Sequence, residues 1–187
     1  MSLTRLAHEL VKEHFQTLDK EGSRIAVDGT CGNGHDTEFL ARLGFDKVYS
    51  FDVQEQAISN TKERLERVSL TNNVELYQQS HEHIGAVIDG PVSCIMFNFG
   101  YLPKADKHIT TMAETSLKAL SASLEILNND GLLCFICYPG HPEGKIETLA
   151  IVDWVSSLEK SKYDVTETHS RNHSVSTPIL YTVRKYS

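Results

Sequence analysis

Leu3, Leu6, Ala7, Leu10, Val11, Phe15 and Leu18 recur at helical spacing, with His14 on the same stripe, and predict an amphipathic helix over residues 2 to 18. Beyond it the pattern shortens. Arg24 to Asp28, Val48 to Asp52, Val74 to Gln79, Val92 to Phe99 and Leu132 to Tyr138 are apolar or β-rich runs bounded by Gly, Asn, Asp or Pro, and each reads as a strand. Helical stretches fall between them at about 36 to 43, 54 to 68, 109 to 128 and 144 to 160, the third stopped by Asn128-Asn129-Asp130-Gly131. Such alternation predicts an α/β fold with a mostly parallel sheet covered by helices on both faces. The last two runs, Tyr163 to Thr168 and Pro178 to Arg184, have no helix between them, so a closing hairpin should place one antiparallel strand in a seven-stranded sheet.

The 187 residues suit one domain spanning 1–187, and no linker-like, low-complexity or repeated segment suggests a boundary. Arg5, His8 and Glu9 interrupt the apolar N-terminus, which argues against a signal peptide or a membrane span and for a cytoplasmic protein. The net charge of −7 argues against strong non-specific attraction to nucleic acid, though not against a local basic patch. Cys31, Cys94, Cys134 and Cys137 lie in or beside apolar runs and read as buried hydrophobes. Cys134 and Cys137 spell CxxC, but an odd separation within a strand sends them to opposite faces, so neither a redox nor a metal role is expected.

Chemistry enters at residues 27–44, VDGTCGNGHDTEFLARLG, where a strand passes through two glycines into a helix. In a doubly wound sheet the first strand-to-helix turn borders the ligand crevice. Gly32 and Gly34 let the backbone take left-handed angles and approach a ligand, and the helix N-terminus favours anionic groups; a tight turn without a ligand would use the same glycines. A dinucleotide fingerprint fails, because Thr37 stands where its third glycine belongs. Asp28, four residues before Gly32, instead gives D-x-x-x-G-x-G, which resembles motif I of class I S-adenosylmethionine-dependent methyltransferases. In that motif the loop holds the methionine part of the cofactor, and a carboxylate beside it suits a zwitterion's ammonium. Asp52 ends the second strand, where a carboxylate can accept hydrogen bonds from both ribose hydroxyls. Ser80 and His81 follow the third strand, at the adenine position of such folds.

After the fourth strand, Asn98-Phe99-Gly100-Tyr101 resembles the Asn/Asp-Pro-Pro-Tyr motif of amino-group methyltransferases with both prolines replaced. An amine must aim its lone pair at the methyl group in line with the leaving sulfur, and an asparagine oxygen accepting an N–H holds that aim. Tyr101 could stack on a base or close over the methyl. His141, in the Tyr138-Pro139-Gly140-His141 loop after the fifth strand, is expected at the same sheet edge, where it could assist deprotonation.

Taken in order, DGTCGNGHDT, FDVQ, NFGYLPKADK and CYPGHPEGK resemble, over nearly the whole chain, a small bacterial family known as rRNA methylases, some of whose members methylate the aminomethyl group of the tRNA wobble uridine. The family's loop carries Gly-Gly where this chain has Lys104-Ala105. The resemblance implies a Rossmann-like class I methyltransferase using S-adenosyl-L-methionine, with Asn33, Asp36, Asp52, Gln54, Ser80 and His81 as cofactor contacts. It also implies Asn98, Tyr101 and His141 at the reacting end, and the anticodon region of tRNA as partner; a homodimer is left open. Lys104, Lys107, His108, Lys145, Arg171 and His173 could form a basic rim for RNA. Methylation of rRNA or another amine, a domain that binds the cofactor without catalysis, and a nicotinamide-dependent oxidoreductase are the competing readings.

Overall fold

Each predicted run becomes a strand in a computed structural model that describes residues 1–17, 24–88, 90–100, 110–170, 174 and 176–186. The strands are β1 (Ile25–Asp28), β2 (Lys47–Asp52), β3 (Val74–Gln78), β4 (Val92–Phe99), β5 (Leu127–Cys137), β6 (Tyr163–His169) and β7 (Ile179–Lys185). They form one sheet in the order β3-β2-β1-β4-β5-β7-β6. Only β7 runs against its neighbours, inserted between β5 and β6, which is the antiparallel strand expected of the hairpin. The helices are α1 (Leu3–Thr17), α2 (His35–Leu43), α3 (Glu55–Arg67), α4 (Ile84–Val87), α5 (Ala113–Ile126) and α6 (Pro142–Ser157). A 3-10 turn, His81–His83, leads into α4, and sequence reading gave neither. No helix among the described residues is long and apolar enough to cross a membrane.

Strand alternation divides the core. Ala26, Cys94, Met96, Leu132, Cys134 and Ile136 pack beneath α1 and α2, against Ala7, Val11, Phe15 and Leu40. Val27, Ile95, Phe97, Phe99, Leu133, Phe135 and Cys137 face the other way, against Leu120 of α5 and Ile151 of α6. Cys134 and Cys137 therefore do lie on opposite faces, both as buried thiols. Phe97 stacks on Phe99 and Phe135 on Tyr181, with centroids 5.1 and 5.3 Å apart. Truncating Phe135 to alanine in this row costs about 3 to 5 kcal/mol.

Helix boundaries differ from the sequence reading: α6, expected at 144 to 160, is Pro142–Ser157, and α5 differs at both ends. α5 stops at Ile126, and Leu127 already pairs with Val92 at the start of β5, so Asn128 to Gly131 bulge out of a strand instead of ending a helix. Asp130, not Gly131, takes the left-handed angle (φ 57) there. The same helix begins at Ala113 and not near 109, because Thr111 N–H is drawn to Gly100 O at 3.0 Å. Strand order reverses between β1 and β4, which opens a crevice beyond their carboxyl ends.

Candidate active site

Two adjoining cavities fill that crevice, of about 260 and 480 Å³, and share Thr30, Gly32, Asn98 and Gly100. Both Gly32 and Gly34 are left-handed, with φ 51 and 77. Gly34 lines neither cavity; it caps α2 so close to α3 that a Cβ there would lie 2.9 Å from the Thr61 Cα. From α3, Thr61 Oγ1 donates to Gly32 O at 3.2 Å and Arg64 Nε to Asn33 O at 2.6 Å, so the turn is pinned from outside.

The smaller cavity is lined by Asp52, Gln54, Ser80 and His81, which β2, β3 and their following turns bring together. Asp52 Oδ2 accepts from Gly32 N and Oδ1 from Gln54 N, both at 3.0 Å, and burial raises its pKa. Each oxygen keeps a second lone pair for a ligand hydroxyl. Ser80 Oγ accepts from Glu82 N at 3.4 Å and caps the 3-10 turn that carries His81. His81 is 8% exposed, and burial pushes its pKa down to about 4, so the ring is neutral near pH 7. Its Nε2 is buried without a hydrogen-bond partner among the described residues.

The larger cavity is lined by Asn33, His35 and Asp36 of the turn and α2, by Asn98, by Tyr138 and His141 after β5, and by Thr4 of α1. Asn98 sits at the junction. Its N–H donates to Thr30 Oγ1 at 2.7 Å, its Nδ2 donates to Asp36 Oδ2 at 2.6 Å, and Tyr138 Oη lies 3.4 Å from its Oδ1. Tyr138 has its pKa raised by burial, opposed by a hydrogen bond with the Thr4 side chain, so the phenol keeps its proton. Tyr101 lies outside the described residues, as do Lys104, Lys107, His108, Arg171 and His173, which leaves Lys145 of the expected basic rim.

Asp28 requires a correction. It is fully buried and lines neither cavity, because it follows Ala26 on the α2 face of the sheet. Thr37 Oγ1 donates to its Oδ2 at 2.6 Å and Thr30 N to its Oδ1 at 3.2 Å. Burial first, and Asp36 next, push its pKa to about 8, so it is largely neutral where an ammonium partner would have to be charged. Asp36 is the carboxylate on the cavity wall. Thr37 explains the failed dinucleotide fingerprint: its hydroxyl also bonds Ser50 Oγ at 3.0 Å, inside the fold.

Because Asp28 holds its proton longer in the folded chain than its ordinary 3.8, its contribution to stability is full below pH 3.8 and is lost as pH rises toward 8. Asp28→Asn should flatten the fall in melting temperature across that window and leave ligand affinity unchanged. An undiminished fall in the variant's pH–melting curve would contradict the assignment.

His141 reaches the larger cavity as expected, but in a defined role. Its Nδ1 accepts from Gly144 N at 3.1 Å and caps α6. With Nδ1 an acceptor, the neutral ring carries its proton on Nε2 and has no lone pair there with which to take one from a substrate. Sequence reading missed His8, Thr4, Tyr138 and Glu147. His8 Nε2 lies 2.6 Å from Asp36 Oδ1. Glu147, fully buried, accepts from Thr111 Oγ1 at 2.9 Å and Ser116 Oγ at 2.5 Å, and so ties α6 to the segment that lines the smaller cavity.

Residues 48–184 match the family described as "Putative rRNA methylase". A chloroplastic tRNA (mnm5s2U34)-methyltransferase of Arabidopsis thaliana is 31% identical over 174 residues, 86% of this chain and 61% of that protein. The chain thus spans less than two thirds of that relative's length. Among solved structures, a protein from Clostridium thermocellum described as a putative rRNA-methylase superposes with TM-score 0.89 at 35% identity, over 97% of this chain and 96% of its own. A putative methyltransferase from Streptococcus mutans, solved in complex with SAH, gives 0.86 at 34% identity, over 99% and 98%.

Proposed function

Because the chain belongs to the putative rRNA methylase family, we propose that it is an S-adenosylmethionine-dependent N-methyltransferase whose acceptor is the 5-aminomethyl group of a wobble uridine in tRNA. The family and the Streptococcus mutans complex support the cofactor, and the Arabidopsis relative supports the acceptor. The observation that carries the amine reading is Asn98. A carboxylate only accepts, so Asp36 fixes which way the Asn98 amide points: Nδ2 toward Asp36, Oδ1 toward the larger cavity and Tyr138.

The cavities suit the cofactor. Asp52 has lone pairs for ribose hydroxyls, and the His81 Nε2 beside Ser80, without a partner among the described residues, suits an adenine edge. Asn33 and Asp36 line the space next to the glycine turn, where the methionine part belongs. When bound, S-adenosylmethionine supplies an electrophilic methyl group whose leaving thioether is neutral and needs no acid.

What remains for the chain is to seat the amine. A primary alkylamine is mostly protonated at neutral pH and must release that proton to solvent before attack, after which the methylated product forms as a secondary ammonium in place of the sulfonium charge. Asn98 Oδ1 accepts one of the neutral amine's remaining N–H bonds and keeps the lone pair toward the methyl group. The Tyr138 ring forms one wall, and burial against it favours the neutral amine, opposed by the Asp36 carboxylate that lines the same cavity. His141, tied up by α6, serves as wall and cap.

The test is genetic. Nucleosides digested from the tRNA of cells lacking this gene should accumulate the unmethylated aminomethyl uridine, and the gene should restore the methylaminomethyl form. An unchanged tRNA nucleoside profile would refute the acceptor.

A further inference from the structure

Asn98 is held by Asp36, and Asp36 is held in turn from an element that contributes nothing to the glycine turn or the strand ends. His8 sits on α1, midway along the helix, and places its Nε2 2.6 Å from Asp36 Oδ1, while Asp36 Oδ2 takes the Asn98 amide at 2.6 Å. The three side chains form a line from the outer helix to the junction of the two cavities. Their order fixes every proton, because the carboxylate accepts at both ends: His8 must present Nε2–H, and Asn98 must present Nδ2. The imidazole has its own support. It stacks on Phe39 of α2, with centroids 3.9 Å apart and planes 4° from parallel. His8 does not line either cavity, whereas Asp36 and Asn98 do, so anything it contributes to the reaction passes through them.

We propose that His8 is a positioning residue for methyl transfer: its Nε2–H holds the Asp36 carboxylate in the rotamer that turns the Asn98 oxygen toward the acceptor amine. The inference rests on the amine-methylation reading above and extends it to α1, which becomes part of the reacting apparatus. Without the His8 donor, Asp36 is anchored only through its bond to Asn98 and can swing, and the Asn98 amide is then held by a mobile partner and by Tyr138 at 3.4 Å alone. A displacement of about 1 Å at such a point is worth on the order of a hundred-fold in rate.

The two supports of His8 can be separated. His8→Phe keeps a ring against Phe39 and removes the N–H donor; His8→Gln gives up the ring but places an amide N–H near the position of Nε2. Steady-state methylation of tRNA should then show kcat lowered roughly ten- to a hundred-fold in His8→Phe, with the KM for S-adenosylmethionine raised no more than a few-fold because Asp52, Ser80 and His81 still hold the nucleoside end, and kcat restored to within a few-fold of wild type in His8→Gln. A packing role predicts the reverse order, with His8→Gln the poorer enzyme and the less stable protein; that order, or full kcat in His8→Phe, overturns the proposal. A second reading needs no substrate. The side-chain amide protons of Asn98, followed by NMR in the purified protein, should exchange slowly with solvent in wild type and His8→Gln and faster in His8→Phe. Were wild type to methylate no tRNA, the amine reading would fall, and equal exchange in all three proteins would dispose of the His8 proposal separately.

Discussion

Replacing Asn98 with alanine is expected to lower kcat by roughly ten- to a thousand-fold, the loss that follows removal of one preorganised hydrogen bond to the reacting group. S-adenosylmethionine affinity should change little, since the smaller cavity keeps Asp52, Ser80 and His81. Asn98 is held three times, by its backbone N–H on Thr30 Oγ1, its Nδ2 on Asp36 and its Oδ1 accepting from Tyr138 Oη, so its oxygen is aimed before the substrate arrives. The isosteric Asn98→Asp should also fail. It would set a second carboxylate against Asp36 at the 2.6 Å now spanned by an N–H···O bond, and two like charges at that distance must share a proton or separate. Kinetics with tRNA and cofactor varied separately, alongside a melting curve for each variant, measure both outcomes. A folded Asn98→Ala protein with wild-type kcat would remove Asn98 from the reaction.

Asp52→Ala should weaken S-adenosylmethionine binding by about 1 to 3 kcal/mol, the range for losing a charged hydrogen-bond acceptor. The ribose is half of the reason. Asp52 also accepts from the backbone N–H groups of Gly32 and Gln54, one on each oxygen, and thereby links the glycine turn to the end of β2. Asn cannot replace it, because one of its two positions is an NH₂ that would meet a backbone donor. Asp52→Asn should therefore bind nearly as poorly as Asp52→Ala, whereas a residue acting on the ribose alone would tolerate the amide better. Calorimetric titration of both variants against wild type reads this directly, and an unchanged dissociation constant in a folded variant would exclude Asp52 from the site.

Much of the fold was legible in the sequence because its signals are local. The change from period 3.6 to short apolar runs marks strands whatever surrounds them, and the helix-free spacing of the last two runs marked the hairpin. Gly32 and Gly34 announced a turn, and both take the left-handed angles that glycine favours. Where partners come from afar, local signals failed. The Asn128 to Gly131 cluster looks like a helix stop, but pairing of Leu127 with Val92 claims it for β5. Asp28 ends its strand at the right edge, and only the alternation from Ala26 to Asp28 reveals that it points beneath α2. His8 was invisible as chemistry: on α1 it reads as one more position of an amphipathic helix, and its role arises where α1 docks against α2, 28 residues away. His141 was placed in the crevice correctly, while its cap on α6 depends on a backbone N–H that no residue pattern displays.

Methyl transfer to the nitrogen of an aminomethyl substituent is the proposed reaction. Its most direct measurement offers the purified protein two forms of one tRNA, alike except that the wobble uridine carries a 5-aminomethyl group in one and none in the other, with isotope-labelled S-adenosylmethionine. After digestion, mass spectrometry should find the label in the aminomethyl form alone, as the methylamine. Label in both tRNAs, in ribosomal RNA but neither tRNA, or on a ring carbon or ribose oxygen would contradict it.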